Sequence, residues 1–592
     1  MSISSQSARE ESRSLAGSPP LLTKRPYRSK KIQPCDLCRA RKVACTMEIG
    51  AASCSLCSRK ALSCTFQSHP KAKSRPDNRP TTRTPQEPDH VALKIRFLAR
   101  TGVASSEPTP THLWFNQTMN MKGHTCFYAG VSGDQGPDLL RHLNFNERDI
   151  FGNSSWSAWR VYPHVHDPVY FTIFPESNLD PHCDMYHNSK IEQMLGPFVP
   201  GLVDLYYTYV HPSYPLLEPK EELLGRIEGG QVRSSLLSCV YHLAIHFWTK
   251  STELRQQAIP HHLDFWNDIF VALTIETRTP NLDTIRGLLL YMQLPSRFVK
   301  EPNKPGQWPL SCLLAGVAQD LGLHIDPSDW RIPPAERKAR RILWWAVHAH
   351  ITWTAHFLGR PSNLSSMSSD VKPLVVDDFT DESLMIHLGH LASARVFIAF
   401  SNLSCILEDV LRRLCTTTST EHEHRLSSST AAQEIWERMF DFKEKMDALI
   451  VDLPESGSVL SLRIAYHTVE LSIWRAELRE AHRPSGETSQ LMVQTIREML
   501  QILVRLQRSA EEGFWLSYCT GNLEIIGSLL VTLCLSSTSE QTLNQHISLL
   551  LEFRSHLQQM SLSNNLMSGI GKLPLVRLNL ILDQLSLRQP QF

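Results

Sequence analysis

Cys35-Asp36-Leu37-Cys38-Arg39-Ala40-Arg41-Lys42-Val43-Ala44-Cys45 sets a C-x2-C-x6-C frame. Eight residues later Cys54-Ser55-Leu56-Cys57-Ser58-Arg59-Lys60-Ala61-Leu62-Ser63-Cys64 repeats it. A segment this short cannot bury a sizeable apolar core, whereas thiolates at this spacing bind Zn²⁺ and let metal supply the folding free energy. A tetrahedral ion takes four ligands, so two ions ask for eight. The segment offers six sulfurs and no histidine before His69. Two thiolates shared by both ions close the count. Spacing symmetry puts those bridges at the first cysteine of each half, Cys35 and Cys54.

The halves form an internal repeat, with Leu37 matching Leu56 and Val43 matching Leu62. Each C-x2-C start suits a short helix held at its base by metal. The first half carries Arg39, Arg41 and Lys42, the second Arg59 and Lys60. The more basic half is the better candidate for a DNA major groove, where Arg or Lys donates to guanine O6 and N7. The other half is left to brace it, its basic pair available to phosphates. A disulfide framework needs an oxidising compartment, and MSISSQSAREESRS shows no apolar signal core. A RING-like cross-brace needs eight separate ligands, and His69 and His90 are poorly spaced to complete one.

On these residues the chain resembles the fungal binuclear zinc-cluster (Zn₂Cys₆) transcription factors. The resemblance implies two Zn²⁺ ions on Cys35, Cys38, Cys45, Cys54, Cys57 and Cys64, with Cys35 and Cys54 bridging. It implies that Arg41 and Lys42 reach a CGG-type triplet from the end of the first helix and that Arg39 touches phosphate. A nuclear regulator of RNA polymerase II genes is the function it carries, with double-stranded promoter DNA as partner. The family usually places a third basic residue before the third cysteine, and Ala44 stands there. Its inter-half loop often holds a proline, which TMEIGAAS lacks. A second reading therefore stays open: a co-regulator that keeps the module as a protein-docking surface and reaches promoters through a partner.

Charge is distributed unevenly along the chain. Residues 1–90 hold 17 Lys and Arg against 7 Asp and Glu, while the remainder holds 43 against 52. A basic head on an acidic body fits a nucleic-acid-binding end joined to a domain with another task. Residues 1–34 read as a disordered basic arm, in which Lys24, Arg25, Arg28, Lys30 and Lys31 form a nuclear-import segment or a DNA-contacting arm. Residues 65–110 read as a Pro-rich basic linker, with Lys71, Lys73, Arg75 and Arg79 near phosphates. Within it VALKIRFLARTG (91–102) is too short for a zipper, since no apolar heptad continues. Binding as a monomer, or homo- or heterodimer pairing through the large domain, stays open.

Residues 111–592 read as a large all-α regulatory domain, with 111–188 irregular, aromatic-rich and suited to loops or short strands. Leu310, Leu313, Leu314, Val317, Ala318 and Leu321 fall at helical spacing, and Gly322 sits where a C-terminal cap belongs. Pro333 or Pro334 opens the next helix, Glu336 suits its first turn, and Gly359 with Pro361 ends it. Its apolar stripe runs through Ile342, Trp345, Ala349 and Trp353. Segments 431–453 and 485–515 repeat the amphipathic pattern. Ile525–Leu535 reads as a buried helix, because no apolar run approaches the ~20 residues of a membrane span.

YYTYVHPSYPLL (206–217), LLAGVAQDLGLHIDPSDW (313–330) and RRILWWAVHAHITWTAHFLGRPSNL (340–364) resemble the fungal-specific regulatory domain, best matched over 190–410. FYAGVSGDQGPDLLRHL (127–143) resembles regulators of nitrogen-source and GABA use. Trp344, Trp345 and Trp353 line an inducer pocket or fill the core; Arg360 meets an anion or pairs with a nearby acid. His348, His350 and His356 are spaced wrongly to share a metal. Glu421-His422-Glu423-His424 reads as an exposed loop, and Asp377, Asp378, Asp381 and Glu382 as an acidic patch or ordinary loop. No nucleophile elbow, phosphate loop or H-E-x-x-H motif occurs, so no catalytic constellation is expected. The helical body is left to bind co-regulators or the transcription machinery.

Overall fold

A computed structural model describes residues 34–47, 51–66 and most of 118–586. The arm with Lys24, Arg25, Arg28, Lys30 and Lys31, the linker lysines and arginines at 71–79, the stretch 91–102, and Asp381 with Glu382 lie outside the described residues. The chain divides into two compact units, residues 1–104 and 105–592.

In the first unit, α1 (Asp36–Ala40) and α2 (Ser55–Arg59) are five residues each. Helices this short do not persist alone in water. Here they close on four fully buried cysteines, with Leu37 and Leu56 packed against them. The repeat read from the sequence is therefore a repeat of structure.

The second unit is mostly helical, as the apolar periodicity implies. Its helices are α3 (Pro137–Leu140), α4 (Glu176–Leu179), α5 (Val199–Leu205), α6 (Lys220–Glu228), α7 (Ser234–Ile245), α8 (Trp266–Glu276), α9 (Leu282–Tyr291) and α10 (Gln307–Asp320). They continue with α11 (Pro334–Leu358), α12 (Leu388–Leu414), α13 (His422–Val451), α14 (Gly457–Ala481) and α15 (Gly486–Ser509). The last are α16 (Tyr518–Leu535), α17 (Glu540–Leu562) and α18 (Leu566–Ser586). The largest apolar core gathers α5 to α14, and a second core gathers α14 to α18. Helix α14 contributes to both and joins them.

Within the aromatic-rich stretch lies a four-stranded antiparallel sheet. Its strands β1 (His124–Tyr128), β2 (Ile150–Gly152), β3 (Ser157–Tyr162) and β4 (Val169–Pro175) run in the order β1-β4-β3-β2. Trp159, Val161, Phe171 and Ile173 face one core, Ala158 and Tyr170 another. The body is thus a helical domain with one small sheet, where the sequence left short strands open. Trp330 joins the Phe171 face, and the Arg340 guanidinium lies over both rings at 5.5 and 5.7 Å. Burying Phe171 contributes about 1.5–3 kcal/mol.

The helix boundaries follow their local chemistry. Pro334 occupies the first turn of α11, where its missing N–H costs nothing, and Gly359 ends the helix at φ +63. Gly322 ends α10 at φ +65, beside Phe171 and Tyr128 of the sheet. Trp344 and Trp353 are buried in the core, Trp353 stacking on Phe400 and donating to Ser404 Oγ at 3.0 Å. They fill space rather than line a pocket. Trp345 is half-buried and donates to the Lys372 carbonyl at 2.9 Å, while Arg360 is exposed.

Two expectations change. His422–Glu423–His424 begins α13 instead of lying in a loop. Asp378 belongs to a 3₁₀ turn, Val376–Phe379, where its carboxylate accepts from Val375 N and Arg341 at 2.9 Å each. Leu391–Leu414 and Tyr518–Leu535 are long and apolar enough for a bilayer by composition, but 56% and 78% of their apolar windows are buried inside the fold.

A balanced charge cluster sits inside the largest core. Glu218 pairs with Arg226 and, at 3.3 Å, with Arg286. Asp283, with no exposed side-chain surface, pairs with Arg226 at 2.6 Å and Arg286 at 3.0 Å. Burial would raise the Glu218 carboxyl, but the Arg286 and Arg226 guanidiniums hold it below the usual glutamate value.

Candidate metal centre and nucleic-acid interface

The two halves of the cysteine module share a set of matching backbone hydrogen bonds. Arg39 N donates to Cys35 O and Ser58 N to Cys54 O, both at 2.9 Å. Lys42 N reaches Arg39 O and Ala61 N reaches Ser58 O, both at 3.2 Å. Val43 N closes on Cys38 O and Leu62 N on Cys57 O, both at 3.1 Å. Lys42 and Ala61 hold the left-handed conformation, φ 54 and 49, which non-glycine residues adopt uncommonly. That turn brings the third cysteine back, so Cys45 Sγ and Cys64 Sγ accept from Cys35 N and Cys54 N at 3.5 Å.

The halves also brace each other reciprocally. Asp36 N donates to Thr65 O at 2.9 Å, and Ser55 N to Thr46 O at 3.0 Å. Each helix is therefore started by the chain leaving the other half, which relates them by a pseudo-two-fold.

Six sulfurs converge as a result. Cys35, Cys38, Cys45 and Cys54 form one set with all ligand atoms within 4.8 Å of each other, and Cys35, Cys54, Cys57 and Cys64 another. The two residues common to both are the pair singled out by spacing. Cys35 Sγ lies 3.8 Å from Cys54 Sγ and 3.7 Å from Cys57 Sγ; Cys38 Sγ lies 3.7 Å from Cys54 Sγ. Thiolates packed so closely repel unless cations sit between them, and an all-sulfur tetrahedral donor set suits Zn²⁺. The residues present fit such a group. The Cys57 N–H donates to Cys54 Sγ at 3.5 Å and pulls that thiol down to about 6, while burial pushes the Cys57 thiol up to about 12.

Arg41, Lys42, Arg59 and Lys60 are exposed. Arg39 is half-buried and donates through Nη2 to the Pro34 carbonyl at 3.0 Å, fastening the chain that enters α1.

Elsewhere the three histidines of α11 are occupied separately, His348 and His350 buried and His356 half-buried. His348 Nε2 lies 2.9 Å from Glu408, His350 Nε2 is 3.3 Å from Ser311 Oγ, and His356 Nε2 is 2.7 Å from Ser472 Oγ. Among the described residues the metal-competent groups are the two cysteine sets.

Residues 203–445 match the fungal specific transcription factor domain. Over those residues the chain is similar to that domain, and its relatives are named as fungal transcriptional regulators. It is 24% identical, across 88% of its length and 85% of the relative's, to an uncharacterized transcriptional regulatory protein of Schizosaccharomyces pombe. It is 25% identical to the transcriptional activator protein DAL81 of Saccharomyces cerevisiae over 43% of this chain and 26% of that one. It is 23% identical to the transcription factor kojR of Aspergillus oryzae over 70% of this chain and 67% of that one. No solved structure matches.

Proposed function

We propose that the protein is a nuclear, sequence-specific transcription factor that reads DNA through its cysteine module. The observation behind this is the pair of overlapping sulfur quartets sharing Cys35 and Cys54, next to exposed Arg41 and Lys42. In this reading Cys35, Cys38, Cys45, Cys54, Cys57 and Cys64 hold two Zn²⁺, which supply the folding free energy of the module. Arg41 and Lys42 leave the end of α1 toward a CGG-like triplet in the major groove. Arg39, Arg59, Lys60 and the arm at Lys24, Arg25, Arg28, Lys30 and Lys31 serve phosphates or import.

The body, residues 111–592, supplies regulation and contacts to the transcription machinery, and nitrogen-source control is the pathway suggested by 127–143. Selection of duplexes from random sequence by the full chain, repeated over a salt series, tests the reading. A CGG-containing preference with a steep negative salt slope is expected. No preference and no slope would favour the co-regulator that Ala44 leaves open.

A further inference from the structure

The pseudo-two-fold has a functional corollary that rests on the reading just given. In the first half the two residues leaving the end of the helix are Arg41 and the left-handed Lys42. In the second they are Lys60 and the left-handed Ala61. All four are exposed, and the backbone beneath them is held by matching hydrogen bonds of 3.2 and 3.1 Å in each half. These two pairs thus offer the same platform with one difference in formal charge, at the left-handed position, while the last helical residue is Ala40 in the first half and Arg59 in the second.

We propose that the residue at this left-handed position decides which half of the module reads base edges, so that the second half is a latent reader silenced by Ala61. A cation at position 42 or 61 projects from the turn beyond the helix C-terminus, where the helix dipole favours positive charge. With Ala61 there, the second half keeps Arg59 and Lys60 for phosphates, which position without specifying. Arg39 does not break the equivalence, since its guanidinium turns to the Pro34 carbonyl.

The structure already shows an alanine and a lysine in this conformation, so the exchange asks each half to accept what the other accommodates. The test uses the full zinc-loaded chain as native protein, Lys42→Ala, and Lys42→Ala with Ala61→Lys, read by competition between the selected duplex and random duplex. Metal content and circular dichroism confirm folding. Lys42→Ala is expected to lower discrimination about 5- to 150-fold, the size of one good base contact, and the double exchange to bring it back to within about tenfold of native.

A second readout follows the reading face. In the native protein Arg41→Ala costs discrimination and Lys60→Ala costs only affinity; in the double exchange these roles reverse. A double exchange no more selective than Lys42→Ala, or one still dependent on Arg41, overturns the inference and leaves the proposed function standing. A native chain with no preferred duplex overturns both.

Discussion

Replacing Asp283 tests whether the buried charge cluster is a single balanced unit. Asp283 has no exposed side-chain surface and faces Arg226 Nη2 at 2.6 Å and Arg286 Nη1 at 3.0 Å. In Asp283→Ala both guanidiniums must share the Glu218 carboxylate, leaving one buried positive charge uncompensated. Breaking such a set from one side costs about 3–5 kcal/mol. Asp283 also sits in the first turn of α9, so its charge at the helix start is worth a further 0.3–1 kcal/mol or so. The Asn281–Thr284 capping box stays in place and does not add to the loss.

Urea unfolding followed by tryptophan fluorescence reads the change as a lower midpoint at unchanged slope. Arg226→Ala with Asp283→Ala restores charge balance around Glu218 and Arg286. That double variant should therefore be more stable than the summed single losses by about 0.5–3 kcal/mol. Two single variants costing under about 1 kcal/mol each, and adding without coupling, would refute the reasoning.

Glu276 is fully buried, and burial pushes its carboxyl up to about 7, against the pull of Arg233 and the Ser235 hydroxyl, from the 4.5 of an unburied glutamate. The folded state therefore holds a proton that the unfolded chain has released, and stability falls as pH rises from 4.5 to about 7. Glu276→Gln should lack that decline, matching native near pH 4.5 and exceeding it above pH 7 in thermal melts. Gly322→Ala places a Cβ at φ +65 and 2.8 Å from Phe171 Cζ, so it should lose about 1–2 kcal/mol to conformation and 1–3 to overpacking in denaturant unfolding. Gly359→Ala, at φ +63 with nothing within 4 Å, should lose only the first part. Equal losses would show that contact with the sheet does not matter.

The cysteine module was legible because its chemistry is a counting problem. Six sulfurs for two tetrahedral ions single out Cys35 and Cys54, and these are the two residues common to both quartets. The long α11 was legible from Pro334 and Gly359, whose conformational limits mark its ends. The left-handed turn was not, because Lys42 and Ala61 are residues without preference for it; the packing of sulfurs imposes it. The sheet was only half visible. Tyr170, Phe171 and Ile173 are buried on opposite faces, so β4 shows no polar alternation to read. The charge cluster was not anticipated from the sequence, because its four members lie in two pairs far apart along the chain. Its one signal was Arg286 within Leu282–Tyr291, a mostly apolar helix with no solvent face for an arginine. The loop reading of His422–His424 failed because the surrounding Ser and Thr favour turns, yet the helix from His422 runs on into a buried face at Ile435 and Met439, while Glu421 lies outside the described residues.

Native mass spectrometry of the full chain, combined with a count of alkylatable thiols, bears most directly on the shared sulfurs of Cys35 and Cys54. Two Zn²⁺ per chain with all six module cysteines protected is the result predicted. A single ion, or two alkylated module cysteines in a chain that still selects its duplex, would contradict it.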